Sequence, residues 1–133
     1  MTALTKDRDT KRRDDMHYAH PVAASACLYA GGMVALNATG YAVPASASTA
    51  LTVLGVADGH ADNSAGADGD LQVSVKVRGA FHLANDGSID RTHIGKAAYA
   101  VDDQTVAATD GTGTRPAAGT IRDVDATGVW VAF

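Results

Sequence analysis

His17, His20 and Cys27 lie near one another in the chain, and imidazole with thiolate is a zinc-binding combination. Their spacing matches no structural zinc pattern, and no fourth ligand follows close by in sequence, so no metal is expected there. The stretch from Asp58 to Asp70, DGHADNSAGADGD, is dense in carboxylates and amides, which is calcium chemistry. It lacks the alternating register and the closing Glu of an EF-hand, and it lacks the tandem nonapeptide of calcium solenoids. A solvated polar loop is the expectation. His60 and His82 have no spacing that marks a metal enzyme, and every acidic residue in the chain is Asp, with no Glu to complete such a site. Asp102 and Asp103 suggest a carboxylate pair for acid–base work. Neighbours in a strand point to opposite faces, however, so a hairpin tip is expected instead. There is no Gly-x-Ser-x-Gly elbow and no glycine-rich phosphate loop followed by Lys-Ser or Lys-Thr. The residues therefore predict no catalytic group, no metal, no cofactor and no enzymatic activity.

Binding chemistry is concentrated at the start. In TALTKDRDTKRRDD the cations Lys6, Arg8, Lys11, Arg12 and Arg13 alternate with Asp7, Asp9, Asp14 and Asp15. The interleaved carboxylates nearly cancel attraction to phosphates, and no aromatic ring sits among them for base stacking, so nucleic acid is not the expected partner. A mixed-charge segment suits a protein surface that carries both signs. Almost no apolar residue follows Leu4 in it, so it cannot bury enough surface to fold alone. Residues 1–16 are expected as an extended arm and residues 17–133 as the folded body. The lone Cys27 has small apolar neighbours, which predicts a buried, inert thiol. No apolar run is long enough to span a membrane, and the charged start has no apolar region of a secretory signal, so synthesis in the cytoplasm and no membrane partner are expected.

The elements that carry these groups read as short strands. A formal charge of −4 drawn from Asp, together with 14 Gly, favours turns over helices. Only 5% of residues are aromatic, so the core must come from small and β-branched side chains. Val22 to Leu28, Met33 to Leu36 and Tyr41 to Val43 are expected strands, with a turn over residues 37–40, and Pro44 points to an edge. Leu51 to Ala57 is apolar enough to be buried on both faces, and a short helix is possible over residues 45–50. Leu71, Val73, Val75 and Val77 alternate with Gln72, Ser74, Lys76 and Arg78, which predicts one face inward and one outward. Gly79 allows a bend before Phe81 to Ala84. Lys96 to Val101 and Val106 to Thr109 form a hairpin around residues 102–104. Ala118 to Val124 pairs with Val129 to Phe133. That last strand puts Trp130 opposite Val129, Val131 and Phe133, and the neighbouring Phe133 suggests that the indole is also in the core. Short strands with turns every eight to twelve residues predict a single all-β domain, a β-sandwich or jelly-roll-like body.

The segments ALTKDRDTKRRD, HPVAASACLYAGGMVALNATGYAVPAS, GVADGHADNSAGADGD with QVSVKVRGAFHLAN, and YAVDDQTVAATDGTGTRPAAGTIRDVDATGVWVAF resemble a family of small tailed-phage head-decoration, or capsid cement, proteins. The likeness runs over nearly the whole chain. It implies a charged arm, a central strand pair and closing hairpins. It also implies a structural virion protein on the outer capsid surface, cementing contacts between major capsid protein subunits. The partners implied are the major capsid protein and other copies of this chain, as a dimer ahead of a trimer. The competing expectation is a carbohydrate- or receptor-binding virion module, which would need exposed aromatic rings.

Overall fold

The computed structural model describes residues 2–133 and is all-β apart from one 3-10 turn, Arg91–His93. Twelve strands fall into a five-stranded sheet, a five-stranded closed barrel and a two-stranded ribbon. The sheet runs in the order β1 (His17–Pro21), β7 (Gln72–Lys76), β5 (Thr52–Ala57), β3 (Met33–Leu36) and β4 (Ala42–Pro44). All its pairings are antiparallel. The ribbon joins β2 (Cys27–Leu28) to β6 (Ala61–Asp62). The barrel runs in the order β10 (Thr105–Ala107), β8 (Ala80–Asn85), β12 (Gly128–Ala132), β11 (Ala117–Asp125) and β9 (Ala97–Ala100), then closes from β9 back to β10. Within the barrel, among the described residues, only the β8–β10 pairing is parallel.

Alternation along β3 explains how these layers stack. Met33, Val34 and Ala35 are all fully buried. Met33 and Ala35 join the barrel interior, packed with Leu83, Ala98, Val106, Ile121, Val129 and Val131. Val34 faces the other way, into a second core with Val22, Leu28, Ala61, Val73 and Val75. The sheet is thus covered by the barrel on one face and by the ribbon on the other, a sandwich-like stacking in which one layer has closed on itself. A barrel of few strands has a narrow interior. Fully buried Ala98 and Ala100 fit that space beside Val and Ile, as the shortage of aromatic residues requires. Leu51 and Val53 pack on the barrel core and Leu54 and Ala57 on the other, so this run serves both faces as expected.

Turns fall where the sequence places them. Asn37 Oδ1 accepts the Thr39 and Tyr41 amides, and Gly40 has φ +88°. The β9–β10 and β11–β12 hairpins form, and Pro44 lies on the edge strand β4.

Several expectations are corrected. Residues 22–28 are not one strand. Val22 makes an isolated bridge to Ala42, Ser25 turns at φ 64°, and only Cys27–Leu28 pairs again. The body's first strand starts earlier, at His17, because Tyr18 pairs with Val75 on β7. Residues 45–50 form turns, since Ser48 and Leu51 amides bond locally to Ser46 and Ser48 carbonyls rather than propagating a helix. Val73 and Val75 are inward, but Leu71 is 39% exposed because it precedes β7, where the alternation no longer governs it. The strands on either side of Gly79 are not a pair. Gly79, at φ +116°, sends the chain from the sheet into the barrel, so β7 and β8 pair with different partners. The region 58–70 is more than a solvated loop. Asn63 is buried in it, and its Nδ2 donates to the Val22, Ala23 and Ala67 carbonyls.

Candidate functional site

The five arm cations do not share one environment. From Thr2 to Asp14 every residue is exposed and none lies in a strand or helix. Among the described residues, Lys6, Arg8, Lys11 and Arg12 make no ion pair. Arg13 differs. Its guanidinium lies over the Tyr18 ring, 5.0 Å from the centroid. Next to it the Tyr18 hydroxyl donates to Asp15 Oδ1 at 3.1 Å, and Arg78 Nε donates to Asp15 Oδ2 at 2.6 Å. The Arg78 guanidinium, and then the Tyr18 hydroxyl, hold the Asp15 carboxyl below the usual carboxylate range. The Val77 amide then donates to the Met16 carbonyl at 3.0 Å. The arm is therefore rooted on the β1–β7 edge of the sheet through residues 13–16, and the span before Arg13 projects free of that root. An open depression of about 570 Å³ at this root is lined by Arg12 to Ala19.

The root was not visible as a unit in the sequence. Arg78 lies 63 positions from Asp15, and only the pairing of β1 with β7 brings them together.

The other residues considered for chemistry are dispersed, apart from Cys27 and His60, which meet on one face of the ribbon. His17 sits on β1 beside Asp58, 3.5 Å away, and Lys76 reaches the same carboxylate at 3.3 Å. Cys27 is on the ribbon and half-exposed, not buried, because its ribbon partner Asp62 is an exposed surface residue. Asp102 Oδ1 accepts the Gln104 and Thr105 amides, which makes it a turn residue. Asp68 Oδ1 accepts the Ala24 amide and Asp70 Oδ2 the Ala67 amide, so these carboxylates cap backbone in the 58–70 region.

Trp130 corrects a further expectation. It is 40% exposed, on the outer face of the barrel, while Val129 and Val131 fill the interior. Its indole packs edge-on to His82, with ring centroids 5.1 Å apart, and donates Nε1–H to Asp125 Oδ2 at 3.3 Å. Asp125 Oδ1 accepts the Thr127 amide and hydroxyl and the Gly128 amide, and lies 3.3 Å from His82 Nε2. These contacts, Thr127 foremost, hold the Asp125 carboxyl far below the usual carboxylate range. A depressed folded-state pKa contributes stability that is present above the unfolded value, about 4, and is lost as pH falls through the folded value. Asp125→Ala is therefore expected to lower the melting temperature by a few degrees at neutral pH. It should also flatten the decline of melting temperature below about pH 4, because the variant has lost that linkage. Parallel thermal melts across the acid range check this; equal slopes for both proteins would assign the turn no role in acid sensitivity.

Comparison of the chain with protein-family models, with curated proteins and with solved structures finds no match. Among the described residues, no helix is long and apolar enough to cross a membrane.

Proposed function

We propose that this chain is a structural virion protein that decorates the outside of a phage capsid and cements contacts between major capsid protein subunits. The observation that carries the reading is the arm. Roughly a dozen exposed residues of alternating charge project from a root fixed on the edge of a β-body. A segment that cannot order itself gains its contacts on a partner, and guanidinium groups at Arg8 and Arg12 bind carboxylates in a fork. The resemblance of nearly the whole chain to head-decoration proteins supports the capsid as that partner. The role is non-catalytic, and the cations of the arm are its binding residues.

The function is tested by mechanics. Expanded capsids incubated with the protein should rupture at a higher temperature than undecorated ones, because a ligand that binds only the intact lattice stabilises it by mass action. Identical rupture temperatures at saturating protein would contradict cementing.

One observation favours the second reading, a carbohydrate- or receptor-contacting module: Trp130 is exposed on the barrel's outer face. Its indole N–H is engaged by Asp125 and its flank by His82, so the ring is partly occupied, and the exposed Tyr29 ring packs against His60. That is less than the stacking platform such modules present.

A further inference from the structure

The ribbon assembles a set of side chains that no local spacing announces. Cys27 and Asp62 are direct cross-strand partners, as are Leu28 and Ala61. Leu28 and Ala61 face the core, so strand alternation turns Cys27 and Asp62 outward. The same alternation carries Tyr29, two residues beyond Cys27, and His60, two residues before Asp62, to that outer face. The Tyr29 and His60 rings meet there, with centroids 5.3 Å apart. Cys27 Sγ, an imidazole nitrogen of His60 and a carboxylate oxygen of Asp62 all lie within 4.8 Å of one another.

We propose that Cys27, His60 and Asp62 form a surface site for a borderline-soft divalent metal ion of the zinc class. A tetrahedral ion with bonds of about 2.0–2.3 Å sets its ligand atoms about 3.3–3.8 Å apart. Donor atoms already within 4.8 Å of one another lie close to that spacing. Sulfur, nitrogen and oxygen donors together suit zinc, whereas calcium and magnesium require oxygen alone. Three protein ligands leave the fourth position, on the solvent side, for water. Asp62 is held from behind, because the Ser64 amide donates to its Oδ1 at 3.0 Å. The Tyr29 ring, 5.3 Å from that of His60, forms a wall beside the site.

Titration of the full chain with Co(II), in a phosphine reductant, tests the site. The expected result is a thiolate-to-cobalt charge-transfer absorption that saturates at one ion per chain and is displaced by Zn(II). Cys27→Ser should abolish that band. His60→Ala and Asp62→Asn should each weaken Co(II) binding by at least about tenfold, since each removes one of three ligands. The double variant His17→Ala/His20→Ala should bind as the full chain does. His60 is exposed, so its variant keeps the fold and isolates the ligand effect. Absence of the band at millimolar Co(II) overturns the proposal. So does unchanged affinity in His60→Ala, which would mean that the thiol binds alone, or loss of binding in the His17/His20 variant.

Discussion

Val75→Asp is expected to leave the protein without a cooperative thermal transition, while Lys76→Asp should keep one close to that of the parent. The two residues are neighbours on β7 and differ in what lies behind them. Val75 is fully buried in an apolar cluster with Val22, Leu28, Val34 and Val73. A carboxylate there is either ionised and unpaired or protonated and short of hydrogen-bond partners. Leaving a charge unpaired in a core costs about 3–5 kcal/mol, and the lost Val packing adds to that. Whole domains are stable by only about 5–15 kcal/mol, and this core of small side chains belongs at the lower end. Lys76 is different. Its ammonium meets Asp58 at 3.3 Å with 41% of its side chain exposed, and an exposed pair contributes about 0–1 kcal/mol. Circular dichroism melts of both variants decide the matter. A normal transition for Val75→Asp alongside a lost one for Lys76→Asp would mean that β7 faces the opposite way.

The strand register was legible because alternation is a local property. Val73 and Val75 declared their face, as did Val129 and Val131, and residues 37–40 declared their turn. What was not legible depends on which strands meet. Gly79 marked a bend, but nothing near it says that the chain leaves one sheet for another. Leu71 looked like part of the alternation because a sequence pattern does not show where pairing stops. The neighbouring Phe133 points Trp130 to the core, yet an outer-face partner in His82, from another strand, lets the ring lie on the surface. The clusters are legible least of all. The arm root joins Asp15 to Arg78, and the ribbon joins Cys27 to His60 and Asp62, across separations that spacing rules do not address. Nearness in sequence is no better a guide, since His17 and His20 lie on β1 and Cys27 on the ribbon, in different sheets.

The second large effect is on binding. Removing residues 2–12 should cut occupancy on capsids sharply while leaving the melting transition of the isolated protein nearly unchanged. The cut keeps Arg13 over Tyr18 and Asp15 on Arg78, so the sheet edge stays closed. It removes Lys6, Arg8, Lys11 and Arg12, none of which pairs with the body among the described residues. Ordering each arm residue costs about 1–2 kcal/mol of backbone entropy, so the arm gains nothing by settling on its own body. In the proposed role, several charge-assisted hydrogen bonds to the capsid would offset that cost. An oligomer that brought more than one arm to a repeating lattice would raise the effective concentration of each arm, so that weak single contacts would add up to firm binding. Added salt should weaken the interaction, because the contacts are between exposed charges.

Co-sedimentation with empty, expanded capsids tests the capsid assignment most directly, with bound copies counted per major capsid subunit. The full chain should saturate at a fixed, simple ratio to the capsid subunit, and the chain lacking residues 2–12 should fall far below that ratio at the same concentration. Failure of the full chain to reach any saturating ratio would contradict the capsid as partner, and equal decoration by the truncated chain would contradict the arm as its tether.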